Sequence, residues 1–189
     1  TNATSGVVQA QGAVNGAVTN AGQFVVTGTL AGAGTAFTNQ ATGQLVNLAS
    51  TYSGLGAIAN DTGGRIFLGN GTTNATLSGA NMINAGAIEM MNARVGDRVV
   101  LSGNFTGTGA SRLSADIDMS TNTNQSDRII GAASAGTTTV SIQNIGTSRI
   151  YFSQPIVLFS GTVGAGSFTA ANDASTQAAL SSNGIVDYS

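Results

Sequence analysis

The sequence contains no cysteine, histidine, tryptophan or lysine, and it has a single proline in 189 residues. Without cysteine, the chain can form neither disulfides nor thiolate metal sites. Without cysteine and histidine together, it can assemble no Ser-His-Asp or Cys-His catalytic site and none of the usual zinc sites. The absence of lysine excludes a P-loop. We therefore expect a protein that is not an enzyme and that uses no cofactor or metal.

Charged residues are also scarce. They form 7 % of the chain, against about 25 % in a typical soluble domain. The net charge is −2 and no basic cluster occurs, so we expect no binding to nucleic acid. No stretch approaches the roughly 18 consecutive apolar residues of a membrane helix, so we expect no membrane insertion.

Glycine is abundant, with 27 residues, and the apolar fraction is 41 %. Because glycine costs about 1 kcal/mol relative to alanine inside a helix, this composition disfavours long helices. Short runs of valine, isoleucine, phenylalanine and threonine lie between glycines and asparagines, which is typical of strands and tight turns. The composition predicts an all-β fold.

A repeat covers the first half of the chain. An asparagine, a glycine and an apolar residue recur in order, and the glycines are 21, 21 and 22 residues apart. The four copies are Asn20, Gly22 and Phe24; Asn39, Gly43 and Leu45; Asn60, Gly64 and Ile66; and Asn84, Gly86 and Ile88. Fixed periods of about 20–50 residues are typical of stacked units.

We interpret each unit as one rung of a right-handed parallel β-helix, truncated at its N-terminal end. The apolar position of each copy is expected to point inward and stack on its counterpart at ~4.8 Å. The glycine is expected to supply a positive φ at the corner. The asparagine is expected to bond its own turn and to stack as a ladder. A generic antiparallel sandwich is the alternative. The rungs are assigned to residues 1–95 and a C-terminal capping segment that continues the β-helix to residues 96–189.

The C-terminal half contains a strand in which Leu113, Ala115, Ile117 and Met119 alternate with Arg112, Ser114, Asp116 and Asp118. This alternation predicts one buried face and one charged face in water. Asp116 and Asp118 would lie about 6.5–7 Å apart on the charged face. Three interpretations stay open: two solvated acids beside Arg112, which we favour, an inverting glycosidase pair, or a loose Ca²⁺ site.

Two further features of this half are local. Asp127 follows Ser126 just before a strand, and we expect it to cap that turn. Residues 172–184 are expected to form either a short capped helix or a loop.

A succession of short motifs runs through the same half: Gly-Asp before an apolar alternation, Gly-Asn-Phe-x-Gly, Ser-Asp, and Gly-Thr-Thr-x-Val-x-Ile-x-Asn. In combination they resemble the pertactin-like autochaperone segment at the C-terminal end of autotransporter passengers. The residues that carry the resemblance are Gly96, Asp97, Val99, Leu101, Gly103, Asn104, Phe105, Gly107, Ser126, Asp127, Gly136, Thr137, Thr138, Val140, Ile142 and Asn144. The segments "PIVLFSG", "GSFTA" and "GIVDYS" resemble the closing strands before the membrane anchor.

The resemblance implies a passenger of type V secretion in a Gram-negative bacterium, displayed on the cell surface or secreted after transit through the periplasm. Its partner would be its own outer-membrane β-barrel, which would follow Ser189, and the passenger would be a monomer. The C-terminal segment would cap the solenoid and template its folding, because exposed strand edges at a solenoid end need a cover. The alternative is a virulence adhesin whose surface binds a host-cell or matrix protein; a polysaccharide-active β-helix enzyme is a remote third hypothesis.

Overall fold

The computed structural model describes residues 1–48, 50–120, 125–146 and 156–183. In chain order the strands are β1 Val7–Ala13, β2 Val18–Asn20, β3 Gln23–Ala31, β4 Phe37–Asn39, β5 Gln44–Asn47, β6 Thr51–Asn60, β7 Arg65–Leu68, β8 Thr76–Asn84, β9 Ala87–Glu89, β10 Arg98–Leu101, β11 Phe105–Gly107, β12 Arg112–Asp118, β13 Gln125–Ser126, β14 Arg128–Gly136, β15 Thr138–Asn144, β16 Phe159–Val163 and β17 Phe168–Ala170. One helix, α1, spans Ala174–Asn183.

The strands stack in parallel to form three columns around a common core, as in a parallel β-helix. The first column joins the start of β1 to β3, β5, β7, β9, β12, β15 and β17. The second runs through the ends of β1 and β3, the starts of β6 and β8, then β10, the start of β14 and β16. The third runs through β2, β4, the ends of β6 and β8, β11 and the end of β14. The predicted fold class, an all-β parallel β-helix, is confirmed.

Register is set by stacked apolar side chains, because a one-residue shift would move each strand's core residues to the opposite face. In the first column the in-register core residues are Phe24, Leu45, Ile66, Ile88, Leu113 and Val140. All of them are buried. The column therefore begins at the apolar positions of the sequence repeat and continues beyond residue 95, through the segment that carries the autochaperone resemblance.

Aromatic side chains fill the core at the N-terminal rungs. Phe24 stacks on Tyr52 with ring centroids 6.0 Å apart, and both rings contact Phe37 edge-on. Tyr52 is fully buried, and burial raises the pKa of its phenol to about 12. Its hydroxyl has no hydrogen-bond partner in the described part of the chain, so this ring contributes packing and no polar contact.

Helix α1 packs against β15 in the first column. Asp173 caps it, since its Oδ1 accepts the N–H of Thr176 at 2.8 Å, as N-cap carboxylates do. The Thr176 hydroxyl in turn accepts the N–H of Ile142 in β15 at 2.8 Å. Of the two structures predicted for residues 172–184, the helix is therefore correct. Residues 184–189, including the "GIVDYS" segment, lie outside the described residues.

Candidate functional site

A ladder of buried asparagines runs along the corner between the third and first columns. Each side-chain Nδ2 donates to the Oδ1 of the next asparagine at 2.7–2.9 Å. The members are Asn2, Asn20, Asn39, Asn60 and Asn84. All are at most 6 % exposed. The repeat asparagines thus stack inside the solenoid, and Asn2 extends the ladder by one rung before the first recognised repeat.

The ladder continues with hydroxyl groups where the asparagines end. Asn84 Nδ2 donates to Ser111 Oγ at 2.8 Å, and Ser111 Oγ lies 2.9 Å from Thr138 Oγ1. In the strands that stack on Asn84, the equivalent positions are Gly107 and Gly136. The ladder position therefore moves from the end of the third-column strand to the start of the first-column strand, since Ser111 directly precedes β12 and Thr138 is the first residue of β15. The sequence repeat gave no signal for this shift, because both residue type and spacing change.

The repeat glycines allow neighbouring rungs to approach each other closely, and they do not supply a positive φ. Gly22, Gly43, Gly64 and Gly86 are absent from the residues with positive φ, so the predicted reason for them was wrong. A Cβ at Gly64 would lie 2.6 Å from Asn60 Oδ1 and 2.9 Å from the carbonyl oxygen of Gln40. A Cβ at Gly43 would overlap Asn39 Oδ1 and the Asn20 carbonyl. Glycine is required because the ladder amide and the neighbouring rung fill that space.

A second buried polar group lies at the corner between the first and second columns. It consists of three fully buried carboxylates, Asp97, Asp116 and Asp127. Asp97 Oδ1 accepts the N–H of Ala75 at 2.6 Å. Asp127 Oδ1 accepts the N–H of Asp97 at 2.9 Å and that of Gly96 at 2.8 Å. Asp97 and Asp127 thus make the same contact one rung apart.

The third carboxylate ties in the loop that precedes this corner. Asp116 Oδ2 accepts the N–H groups of Asn92 at 2.7 Å and of Arg94 at 3.2 Å, and the Asp116 N–H donates to Asp127 Oδ2 at 2.9 Å. Asn92 Nδ2 also donates to Asp97 Oδ2 at 2.6 Å. We call Asp97, Asp116 and Asp127 the carboxylate cluster. It links backbone segments from three successive rungs.

Burial opposes ionisation of the cluster. It raises the pKa of Asp127 to about 7, although the N–H groups of Asp116 and Asp97 partly offset this effect. Burial also raises the pKa values of Asp97 and Asp116, against the hydrogen bonds that each receives. The negative charges of Asp97 and Asp116 further raise the pKa of Asp127, and the charge of Asp116 raises the pKa of Asp97. The cluster therefore binds protons more tightly than exposed carboxyls do.

No family model matches this chain, and no curated protein matches it significantly. Function must therefore be argued from the site itself. Among the described residues, no three or more histidine, cysteine or acidic side chains are placed to hold a metal ion. The same part of the chain contains no helix long and apolar enough to cross a membrane.

The preferred interpretation of Asp116 and Asp118 was wrong. They do not form a pair of solvated acids beside Arg112, because Asp116 is fully buried under the loop at residues 92–94. Asp118 instead accepts the N–H and the hydroxyl of Ser120, at 2.8 and 2.5 Å. An accessible glycosidase pair is likewise not formed. The sequence alternation could not reveal the loop that covers Asp116.

The remaining residues of the autochaperone resemblance are distributed over several rungs. Phe105 is a core residue of the third column, as Val140 and Ile142 are of the first. Gly103, Gly107, Gly136 and Thr137 lie at corners, where Thr137 donates its N–H to the Gly107 carbonyl at 3.1 Å. Asn104 is exposed and donates its N–H to Asn81 Oδ1 at 2.8 Å, while Asn144 Oδ1 accepts the N–H groups of Met119 and Gly146.

The two dipeptides of the resemblance have clearer roles. The backbone N–H groups of Gly96 and Asp97 both donate to Asp127. Asp127 therefore caps the backbone of the neighbouring rung, and the prediction that it caps its own turn was wrong. Ser126 donates to the Val157 carbonyl at 2.6 Å. The two separated motifs therefore meet in the carboxylate cluster. Asn92, Ser111 and Asn2 are members of these two buried polar groups that sequence analysis missed.

Proposed function

We propose that this chain is a stalk of a bacterial autotransporter passenger, and that its C-terminal rungs template the folding of the rungs before them. The observation that carries the proposal is the carboxylate cluster. Two of its three members, Asp97 and Asp127, belong to the motifs that resemble an autochaperone segment, and Gly96 of the same motifs donates its N–H to Asp127. The cluster fastens successive rungs to each other at the point where the second half of the solenoid begins.

A folding template needs contacts that do not depend on later rungs. The C-terminal half has such contacts, because the cluster and helix α1 join β10, β12, β14 and β15 through buried side chains. The N-terminal rungs are joined by the core columns and by the asparagine ladder, and the described residues of these rungs contain no buried carboxylate. Since solenoid stability is a sum of rung and nearest-neighbour terms, a preformed end favours stepwise addition of further rungs.

In this proposal the passenger crosses the periplasm and emerges through its own outer-membrane β-barrel. The C-terminal rungs fold first at the cell surface, and each incoming rung then pairs with the edge that they present. The product is a rigid rod, because the core columns and the asparagine ladder allow neighbouring rungs to pair in only one register. This rod holds whatever precedes it away from the membrane.

The test compares folding kinetics of the full chain with one variant in each half. Asp97→Ala removes the hydrogen-bond acceptors of the Ala75 N–H and of the Asn92 side chain. We expect it to slow refolding, and the decrease in the refolding rate should account for most of the decrease in the folding equilibrium constant. Asn20→Ala removes a ladder member from an N-terminal rung, and we expect it mainly to speed unfolding. Refolding and unfolding are followed by circular dichroism after urea jumps.

Pulse-labelled hydrogen exchange during refolding provides the independent measurement. Amides of residues 98–144 are expected to gain protection before those of residues 23–68. Earlier protection of residues 23–68, or a larger slowing of refolding by Asn20→Ala than by Asp97→Ala, would contradict the template.

A second candidate function, a host-binding surface, is favoured by one observation. Arg112 is exposed on the outer face of the first column and borders two grooves, although the chain has few charged residues.

A further inference from the structure

Arg112 stands in an outward-facing row of the first column. The residues in register with it, from the N-terminal rungs onward, are Val7, Gln23, Gln44, Arg65, Ala87, Thr139 and Thr169. Arg65 in this row is fixed by an ion pair with Glu89 at 3.1 Å and by the ring of Phe67 at 4.7 Å. Within the described part of the chain, the Arg112 guanidinium has neither a hydrogen bond nor an ion pair. Its five donors are therefore available to a ligand.

A polar groove of about 300 Å³ lies on the C-terminal side of Arg112. Its lining is Arg112, Thr139, Ser141, Ala171, Asn172 and Asp173. Arg112 and Asp173 carry opposite charges and share the groove, yet they do not form an ion pair. A molecule bound in the groove would therefore contact a cationic group on one side and an anionic group on the other.

The acidic side of the groove is preorganised. Asp173 accepts hydrogen bonds from the Thr176 N–H and from the Ser141 and Ser175 hydroxyls, each at 2.8 Å. These bonds hold the pKa of Asp173 below its usual range, so the carboxylate stays ionised. A fixed carboxylate accepts hydrogen bonds from hydroxyl groups and repels ligands that carry several negative charges.

A second groove, of about 230 Å³, borders Arg112 on its N-terminal side. Its floor consists of small residues, and Arg65 forms the far rim. Arg65 and Arg112 are two rungs apart, which separates their Cα atoms by about 10 Å at the strand spacing. A ligand held at Arg112 can therefore extend over this floor.

We propose that the Arg112 groove binds a sugar that carries a carboxylate. The guanidinium pairs with the carboxylate, because a planar fork of N–H donors matches its two oxygens. Thr139, Asn172 and Asp173 bond the ring hydroxyls. The volume suits one sugar ring, at the small end of about 300–1,000 Å³ for ligand sites. The single carboxylate and several hydroxyls of such a sugar match the groove better than sulfate or phosphate, which Asp173 repels. This inference deepens the second candidate function, and its failure would leave the stalk proposal unchanged.

The test is titration of the full chain followed by ¹H–¹⁵N NMR. The probes are methyl β-D-glucuronide, the methyl α-glycoside of N-acetylneuraminic acid, and methyl β-D-glucoside, which is the neutral match of the glucuronide. We expect saturable shifts at the amides of residues 112, 139, 141 and 173 with at least one acidic probe. The glucoside should bind about tenfold more weakly or not at all, as expected for loss of a charge-assisted bidentate contact. Which acidic probe binds distinguishes uronic from sialic acids as the source.

Two arginine variants distinguish binding in the groove from non-specific attraction to positive charge. Arg112→Ala should weaken binding of the acidic probe about tenfold or more. Arg94→Ala removes the same charge from an exposed side chain whose Nε bonds Asn74, and it should leave binding unchanged. No binding of either acidic probe, equal binding of glucuronide and glucoside, equal shifts with sodium sulfate, or an unchanged affinity in Arg112→Ala would overturn the proposal.

Discussion

Replacement of Asn39 by alanine should test whether the asparagine ladder holds the solenoid together. Asn39 Nδ2 donates to Asn60 Oδ1 at 2.9 Å and to the carbonyls of Gly43 and Arg65 at 3.0 Å. Its Oδ1 accepts from Asn20 Nδ2 at 2.9 Å. The side chain is fully buried, so no water replaces these partners. We expect a loss of about 3–5 kcal/mol in the free energy of unfolding, from bonds worth about 1 kcal/mol each and from orphaned groups that cost about 1–3 kcal/mol.

The assay is urea unfolding at 25 °C followed by far-UV circular dichroism, with the free energy taken by linear extrapolation. Thr38→Ala is the matched control, because Thr38 lies in the same strand but on its outer side, and it should change stability by less than about 0.5 kcal/mol. Asn39→Asp keeps the volume and replaces the donor by an acceptor that faces carbonyls, so it should destabilise at neutral pH at least as much as alanine does. A loss below about 1 kcal/mol for Asn39→Ala, or a milder effect of Asn39→Asp, would refute the hydrogen-bond account.

Three further predictions concern other buried positions. Gly43→Ala should lower stability by about 1–3 kcal/mol, because its Cβ overlaps Asn39 Oδ1 and the Asn20 carbonyl, whereas Gly16→Ala meets nothing within 4 Å and should be neutral in thermal unfolding. Asp127 has a folded-state pKa of about 7, above its unfolded value, so its stabilising effect is complete in acid and is lost as the pH rises through 7. Stability should therefore fall by about 2–3 kcal/mol from pH 5 to pH 8; a urea midpoint that shows the same pH dependence in Asp127→Asn would contradict this assignment. Tyr52→Phe removes a buried hydroxyl without a partner among the described residues and should leave the melting temperature unchanged or higher; a clear decrease would mean that the hydroxyl is satisfied.

The column architecture was predictable because each rung repeats the same three positions at nearly constant spacing. Phe24, Leu45, Ile66 and Ile88 occur in phase in the sequence and stack in register in the structure. The reason for the glycines was not predictable, because crowding by Asn39 and Asn20 depends on the neighbouring rung. Sequence alternation indicates the direction of a side chain but not what covers it.

The site was less predictable than the fold for the same physical reason. Asp116 occupies an outward position of its strand, yet the loop with Asn92 and Arg94 donates two N–H groups to it and removes it from water. Ser111 and Thr138 extend the ladder although their spacing differs from that of the asparagines. The side-chain contacts of the ladder and of Asp127 with the preceding rung connect residues 18 to 31 positions apart, and no local pattern records them.

The ladder also has a direction, which gives the solenoid a head and a tail. Each amide nitrogen points towards the following rung and each amide oxygen towards the preceding one. Aligned amide dipoles add along a column as peptide dipoles add along a helix. A rung grafted before Asn2 must therefore present a hydrogen-bond donor, and one inserted after Asn84 must present an acceptor. The ladder asparagines are 18, 19, 21 and 24 residues apart, so whole rungs of different lengths can be duplicated or exchanged within the ladder without changing this polarity. Longer or shorter rods can therefore be built from these rungs.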